Sequence, residues 1–258
     1  MTIKLLSDLH VEFKVPIKKM EYFAYNGEEV LVLAGDIDSG STNTIDTIKK
    51  FHKAGYPHIV YVAGNHEYYN SDGIADFNAK LRRFSEENSW FHFLDKDWYA
   101  NEKTRSIFIG ATLWTDFANN PISEMKAARG ITDFRRIPDF STAQCAEMHR
   151  RDITYIKGAI TTLRDLFPDY KMYVVTHFLP ANVCIAPEYR EDQTGLNDYF
   201  ANKLDDYLFD GVPEGLTWLF GHTHSPCDIQ HGNTRLIANP YGYHGYESQR
   251  HFRNKCYV

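Results

Sequence analysis

The chain has 258 residues, of which 43% are hydrophobic and 24% charged, enough for one large domain over residues 1–258 with a sizeable core. A formal net charge of -6, with an isoelectric point near 6.0, counts against a broad basic face and so disfavours extended nucleic acid as a partner. Cys145, Cys184, Cys227 and Cys256 lie far apart without a C-x-x-C pair, which suggests neither a disulfide framework nor a thiolate zinc site. With no leader pattern and no long apolar stretch, the chain reads as soluble and cytoplasmic, without a membrane partner.

In chain order, apolar runs at Ile3–Ser7 and Val30–Ala34 predict strands, Asn43–Ala54 a helix, and His58–Ala63 a third strand, a βαβ rhythm. A helix near Gly73–Glu86 and strands at Trp90–Phe93 and Ile107–Leu113 follow. Periodicity is weakest from Asp116 to Asp139, a candidate insertion over an active site. The longest helix is expected over Thr142–Phe167, opened by a capping box of Ser141 with Gln144 and closed by Pro168. Strands at Met172–Thr176, Thr217–Phe220 and Thr234–Ala238, and a helix at Gly195–Leu208, complete the pattern. No internal repeat or low-complexity segment interrupts it.

Five short blocks each follow directly on a predicted strand: Asp8-x-His10, Gly35-Asp36, Gly64-Asn65-His66, Thr176-His177 and Gly221-His222-x-His224. In an α/β sheet this puts them at the carboxyl ends of strands, where ligand sites form. The spacing of two in Asp8-x-His10 and His222-x-His224 points both side chains of each pair the same way. Taken singly, Asp8 or Asp36 reads as a turn or cap residue, and His177 as an ordinary polar residue. Together they form a donor set of hard oxygen and imidazole nitrogen, suited to two divalent ions such as Mn, Fe or Zn. A carboxylate such as Asp36 can bridge such a pair, and two ions about 3.5–4 Å apart can activate a water and clamp an in-line displacement at phosphorus. Phosphate ester hydrolysis is the reaction this chemistry suits.

With D-x-H, G-D, G-N-H-E, T-H and G-H-T-H in that order, the sequence resembles the calcineurin-like metallophosphoesterases from Ile3 to His224. The resemblance implies an α/β fold, a four-layer metallophosphoesterase sandwich of two mixed β-sheets flanked by helices. It implies one metal held by Asp8, His10, Asp36 and His224, and a second held by Asp36, Asn65, His177 and His222. His66, Asp36 and Asn65 are then the catalytic group: a metal-bridging hydroxide attacks in line while His66 protonates the leaving oxygen. Many members place a second Asp three residues after the bridging Asp to orient that histidine. Here Ser39 stands there, leaving Asp38 and Glu67 as the acidic candidates.

The protein phosphatases of this superfamily continue G-D into V-D-R-G and end in H-G-G, unlike Gly35-Asp36-Ile37-Asp38 and Gly221-His222-Thr223-His224. Mre11-like nucleases add a capping domain for which this length leaves little room, and the UDP-diacylglucosamine hydrolases usually carry Arg where His66 stands. What remains resembles small phosphoesterases of the cyclic-nucleotide phosphodiesterase type, acting on small, nucleotide-like phosphomonoesters or phosphodiesters. A phosphatase or nuclease for macromolecules and a non-catalytic interaction module are the alternatives. Arg135 and Arg136 are candidate phosphate contacts, equally readable as surface ion pairs. Tyr241 and His244, in an aromatic loop, are candidates to meet a base or aryl group.

Overall fold

The computed structural model describes residues 2–13, 24–191, 194–245, 252 and 256–258. Two sheets lie face to face. The first contains β1 (Ile3–Leu6), β2 (Val30–Ala34), β3 (His58–Val62) and β4 (Phe91–Phe93), in that order and parallel throughout. An antiparallel bridge from Lys4 to Tyr257 touches its β1 edge. The second contains β5 (Asp97–Asn101), β6 (Ser106–Gly110), β7 (Lys171–Val175), β8 (Leu216–Phe220), β9 (Cys227–His231) and β10 (Thr234–Ala238), ordered β5-β6-β7-β8-β10-β9. Its centre is parallel and both edge pairs are antiparallel, so it is mixed.

Side-chain alternation explains the layers. Val30, Val32 and Ala34 turn toward the second sheet, where they meet Phe108, Tyr173, Val175, Leu219 and Ile237. Leu31 and Leu33 turn the other way, onto α1 (Ser41–Ala54) and α2 (Ile74–Glu87) through Ile48, Phe51, Phe77 and Leu81. The outer face of the second sheet buries Ile107, Val174, Trp218 and Leu236 against Ile156, Ile160 and Leu163. Strands covered on both faces must be apolar at every position, which is why they appear in the sequence as unbroken hydrophobic runs.

Between β6 and β7 lie α3 (Pro121–Gly130), α4 (Asp133–Arg136) and the 25-residue α5 (Thr142–Leu166), which supplies Ile156, Ile160 and Leu163. The capping box forms as expected: Gln144 N–H donates to Ser141 Oγ at 3.2 Å, and Ser141 N–H donates to Gln144 Oε1 at 2.8 Å. The segment 116–139 is more regular than its pattern suggests, because Asn120 caps α3 and Pro121 opens it. The helix expected over 195–208 is instead two short ones, α6 (Asn197–Phe200) and α7 (Asp205–Asp210). Between them Ala201 bridges Leu179, and Asn202 N–H donates to the Leu179 carbonyl at 2.9 Å, which pulls the chain out of helix. Strands β5 and β9 were not anticipated, since as partly exposed edges they carry no apolar run.

Candidate active site

All five blocks arrive at one rim. The chain leaves β1, β2 and β3 of the first sheet and β7, β8 and β10 of the second at their carboxyl ends, and these loops interlock through backbone hydrogen bonds. Asp8 N–H donates to the Gly35 carbonyl and His10 N–H to the Asp36 carbonyl, each at 3.0 Å. His222 N–H donates to Asp8 Oδ1 at 2.9 Å, tying the second sheet to the first. Asp8, His10, Asp36, His222 and His224 all have left-handed φ, between 46° and 66°. These conformations carry strain, and they turn successive side chains into the same small space. Two glycines make the approach possible. A Cβ on Gly35, whose φ is +83°, would lie 2.4 Å from His177 Nδ1, and one on Gly64 would lie 2.2 Å from Asp36 Oδ1.

The seven residues expected to bind metal fall into two adjoining groups. In the first, His224 Nε2 lies 3.1 Å from His10 Nε2 and 3.6 Å from Asp8 Oδ1. In the second, His177 Nε2 lies 3.1 Å from Asn65 Oδ1, 3.2 Å from His222 Nδ1 and 3.4 Å from Asp36 Oδ2. Asp36 stands between the groups, its Oδ2 also 3.7 Å from His10 Nε2.

The donors of Asn65 and His177 point outward and their acceptors inward. His177 Nδ1 donates to the Ala34 carbonyl at 2.9 Å, so in the neutral ring Nε2 carries the lone pair. Asn65 Nδ2 donates to Asp133 Oδ1 at 3.1 Å, which turns Asn65 Oδ1 inward. Lone pairs of His177, Asn65 and Asp36 thus face one another, an arrangement that a cation or an added proton must neutralise. Burial disfavours a charge on His177, yet the Asp36 carboxylate lifts its pKa to about 10. Asp36 itself is buried, which alone would raise its pKa, but His177, His66 and His10 hold it well below the carboxylate range. His222 is held well below its usual value by burial and by the charge of His177, and its Nε2 is buried without a protein partner. Neutral ring nitrogens and oxygens that converge on one space are what a divalent ion requires.

His66 lies beside both groups, its N–H donating to Asp36 Oδ1 at 2.9 Å. Neither Asp38 nor Glu67 reaches its ring. Asp38 accepts from Ser39 N–H and Thr47 Oγ1. Glu67 is saturated by the backbone N–H groups of Asp36, Ile37 and Gly64 at 2.8–3.0 Å, and its pKa is pushed up to about 8 by burial and the Asp36 charge. The ring is met instead by Glu12 Oε1, 3.1 Å from Nδ1, and by the Tyr243 hydroxyl, 3.1 Å from Nε2. Glu12 is not among the candidates the sequence offers, and Tyr243 is offered there only as part of the aromatic loop of Tyr241 and His244. Glu12 continues the alternation Asp8-x-His10-x-Glu12, a signal that was available.

A cavity of about 600 Å³ opens from this rim, within the usual range of small-ligand sites. Beyond Asp36, Asn65, His66, His222 and His224 it is walled by Ile131, Asp133, Arg136, Ile185, Tyr189 and Phe200, so the segment 116–139 does reach the site. Asp133 is buried and accepts from Asn65, Tyr69 and Tyr199. Arg136 lines the cavity, its guanidinium 4.4 Å from the Tyr69 ring centre. Arg135 turns away to donate to the Arg129 carbonyl at 2.8 Å. Tyr241 is buried and packs on His244, and neither lines the cavity; from that aromatic loop Tyr243 does.

Comparison with known proteins gives the same picture. A protein of Acanthamoeba polyphaga mimivirus, L509, is 26% identical over 93% of this chain and 91% of its own length. The phosphopantetheinyl hydrolase PptH of Mycobacterium tuberculosis superposes with a TM-score of 0.71 at 16% identity, over 94% of this chain and 89% of its own. A dimetal phosphatase of Danio rerio gives 0.51 at 11% identity, over 92% and 86% respectively. At these identities the solved structures establish the shared fold. Family membership rests on residues 1–226, which match the calcineurin-like phosphoesterases throughout. This chain therefore belongs to the calcineurin-like phosphoesterase family and is a metal-dependent phosphoester hydrolase.

Proposed function

We propose that the protein hydrolyses small phosphoesters of nucleotide-like size, using two divalent ions at the two groups of the rim. Asp8, His10, Asp36 and His224 would hold one ion, and Asp36, Asn65, His177 and His222 the other. The observation that carries this reading is the inward convergence of Asn65 Oδ1, His177 Nε2 and Asp36 Oδ2, with the Asn65 amide and the His177 Nδ1–H bonded elsewhere. Nitrogen and oxygen donors without thiolate suit Mn, Fe or Zn. When bound, such ions supply an activated water and neutralise phosphoryl oxygens.

The chain's own residues do the rest. His66 holds a proton at Nε2, on the cavity side, for the leaving oxygen. Glu67 clamps the Asp36 and Gly64 turns so that Asp36 and Asn65 keep their places. Arg136 offers its guanidinium to a second anionic group of the substrate, while Tyr189 and Phe200 give apolar surface for a base, aryl or alkyl portion. Arg135, Tyr241 and His244, which do not line the cavity, have no part in this assignment. The walled cavity and the acidic net charge favour a small substrate over a macromolecule. Four unbridged cysteines, with no helix among the described residues long and apolar enough to cross a membrane, support a cytoplasmic setting.

The test is steady-state hydrolysis by Mn²⁺-loaded protein of p-nitrophenyl phosphate, bis(p-nitrophenyl) phosphate, cyclic nucleotides and a phosphopantetheinyl ester, the last being the chemistry named for the Mycobacterium tuberculosis structure. Turnover that needs metal and is lost in Asp36→Asn supports the reading. Turnover unaffected by Asp36→Asn refutes it.

A further inference from the structure

The Glu12 carboxylate meets two of the rim's histidines, and neither the family motifs nor the metal assignment uses it. Its Oε1 lies 3.1 Å from His10 Nδ1 and 3.1 Å from His66 Nδ1. A carboxylate only accepts hydrogen bonds, so both Nδ1 atoms carry hydrogen and both rings present Nε2. For His10 that exposes the Nε2 lone pair toward His224 and Asp36. For His66 it sets Nε2 beside the Tyr243 hydroxyl at the cavity wall.

The backbone holds Glu12 in register with both rings. It lies in a single 3-10 turn, Val11–Phe13, whose entry is fixed by His10 N–H donating to the Asp36 carbonyl and Val11 N–H to the Ile37 carbonyl, each at 3.0 Å. The His66 N–H is bonded to Asp36 Oδ1, so Glu12, Asp36 and His66 are braced together. Glu12 Oε2 is buried without a protein partner, although its residue sits at the chain's rim. Leaving a carboxylate oxygen unsatisfied is costly, and here the outlay goes with an Oε1 that serves two rings. A third cation among His10, Glu12 and His66, whose ligand atoms lie within 4.8 Å of one another, would need Nδ1 of both rings bare. That tautomer would put His10 N–H against His224 and Asp36, so the hydrogen-bonded arrangement is the one compatible with metal at the first group.

We propose that Glu12 is a positioning residue for the reaction, fixing through one oxygen the tautomer and aim of the proton carrier His66 and of the metal-site histidine His10. In this chain it takes the orienting place that Ser39 leaves empty: the Ser39 hydroxyl donates to the Tyr69 carbonyl at 3.0 Å, away from the His66 ring. The proposal rests on His66 being the group that protonates the leaving oxygen.

The experiment compares Glu12→Ala, Glu12→Gln, His66→Ala and the Glu12→Ala/His66→Ala double variant, all Mn²⁺-loaded, on aryl phosphoesters of the class the enzyme turns over. The leaving groups run from p-nitrophenol, which needs no proton, to phenol and an alkyl alcohol, which do. Glu12→Ala is expected to lower kcat about 10²-fold for the poor leaving groups and far less for p-nitrophenol, steepening the leaving-group dependence as His66→Ala does. The double variant is expected to lose no more than His66→Ala alone, because residues acting as a unit are non-additive. Glu12→Gln, which keeps an acceptor oxygen and the same shape, is expected to recover part of the loss. Because Glu12 also orients His10, Glu12→Ala is expected to weaken Mn²⁺ binding about 10–100-fold, so rates are compared at saturating Mn²⁺ with occupancy checked by elemental analysis. At that saturation, equal loss on every leaving group or a fully additive double variant would overturn the assignment and leave Glu12 a purely structural support, and an unchanged Mn²⁺ affinity in Glu12→Ala would remove its His10 part. If His66→Ala itself leaves the leaving-group dependence unchanged, the acid reading of His66 falls and the Glu12 proposal with it. If only the Glu12 variants leave it unchanged, the Glu12 proposal falls alone.

Discussion

The side-chain amide of Asn65 donates to Asp133 at 3.1 Å, and the same bond turns Asn65 Oδ1 to within 3.1 Å of His177 Nε2. A residue of the 116–139 segment thereby sets the orientation of a candidate ligand from another part of the chain. Removing it in Asp133→Ala releases the amide and leaves the hydroxyls of Tyr69 and Tyr199 without their acceptor. Mn²⁺ affinity is expected to fall about 10–100-fold, the usual consequence of losing a partner that orients a ligand. Stability is expected to fall by about 1–3 kcal/mol for each buried donor left unpaired. Calorimetric Mn²⁺ titration and urea unfolding read the two effects separately, and an unchanged affinity would show that Asn65 holds its orientation unaided.

Arg136 is exposed along the cavity wall, held by stacking on Tyr69. If it meets a remote anionic group of the substrate, it binds ground state and transition state alike. Arg136→Ala is then expected to raise KM about tenfold with kcat nearly unchanged. A fall in kcat at constant KM would assign Arg136 to the transition state instead.

The facing lone pairs at the rim make the folded chain a better host for divalent ions than the unfolded one. Mn²⁺ at roughly a hundredfold excess over Kd is expected to stabilise by about 2.7 kcal/mol, a rise in Tm of about 5 °C for a chain of this size. A chelator is expected to reverse the rise, and Asp36→Asn to abolish most of it. Differential scanning fluorimetry across a metal series checks this, and an equal rise in Asp36→Asn would place the binding elsewhere.

Away from the rim, His92 on β4 stacks on Tyr99 with ring centres 3.4 Å apart. Burial, assisted by the charge of His58, pushes its pKa from 6.5 down to about 3. Between those values the unfolded chain binds a proton that the folded chain refuses. This contribution to stability is therefore full above about pH 6.5 and is lost as pH falls toward about 3, a matter of a few kcal/mol. His92→Phe has no such proton to lose. Urea unfolding at about pH 7 and about pH 5 is expected to show wild type losing stability relative to the variant, and parallel behaviour would exclude His92 as a source of acid sensitivity.

The candidate ligands were legible in the sequence because each follows directly on a strand buried on both faces, and such strands are written as unbroken apolar runs. Asp8, Asp36, Asn65, His177, His222 and the rest stand at chain positions that a parallel strand carries to one end of the sheet whatever the loops do. The two-sheet α/β fold followed from the same runs, while β5 and β9 escaped notice because an edge strand exposed on one side has no such signature. The long helix α5 was announced by local chemistry, a capping box and a proline, that acts within a few residues.

The sequence by itself thus determined the fold class, the reaction class and the set of candidate ligands, all of which are written in local pattern and order. Only the tertiary structure decided that Glu12 rather than Asp38 or Glu67 meets His66, that Asp133 turns Asn65, and that Arg136 and Tyr243 line the cavity while Arg135, Tyr241 and His244 do not. The physical reason is that these relationships join residues 54, 68 and 177 positions apart. They depend on how two sheets pack and where loops fold back, which no window of neighbouring residues encodes.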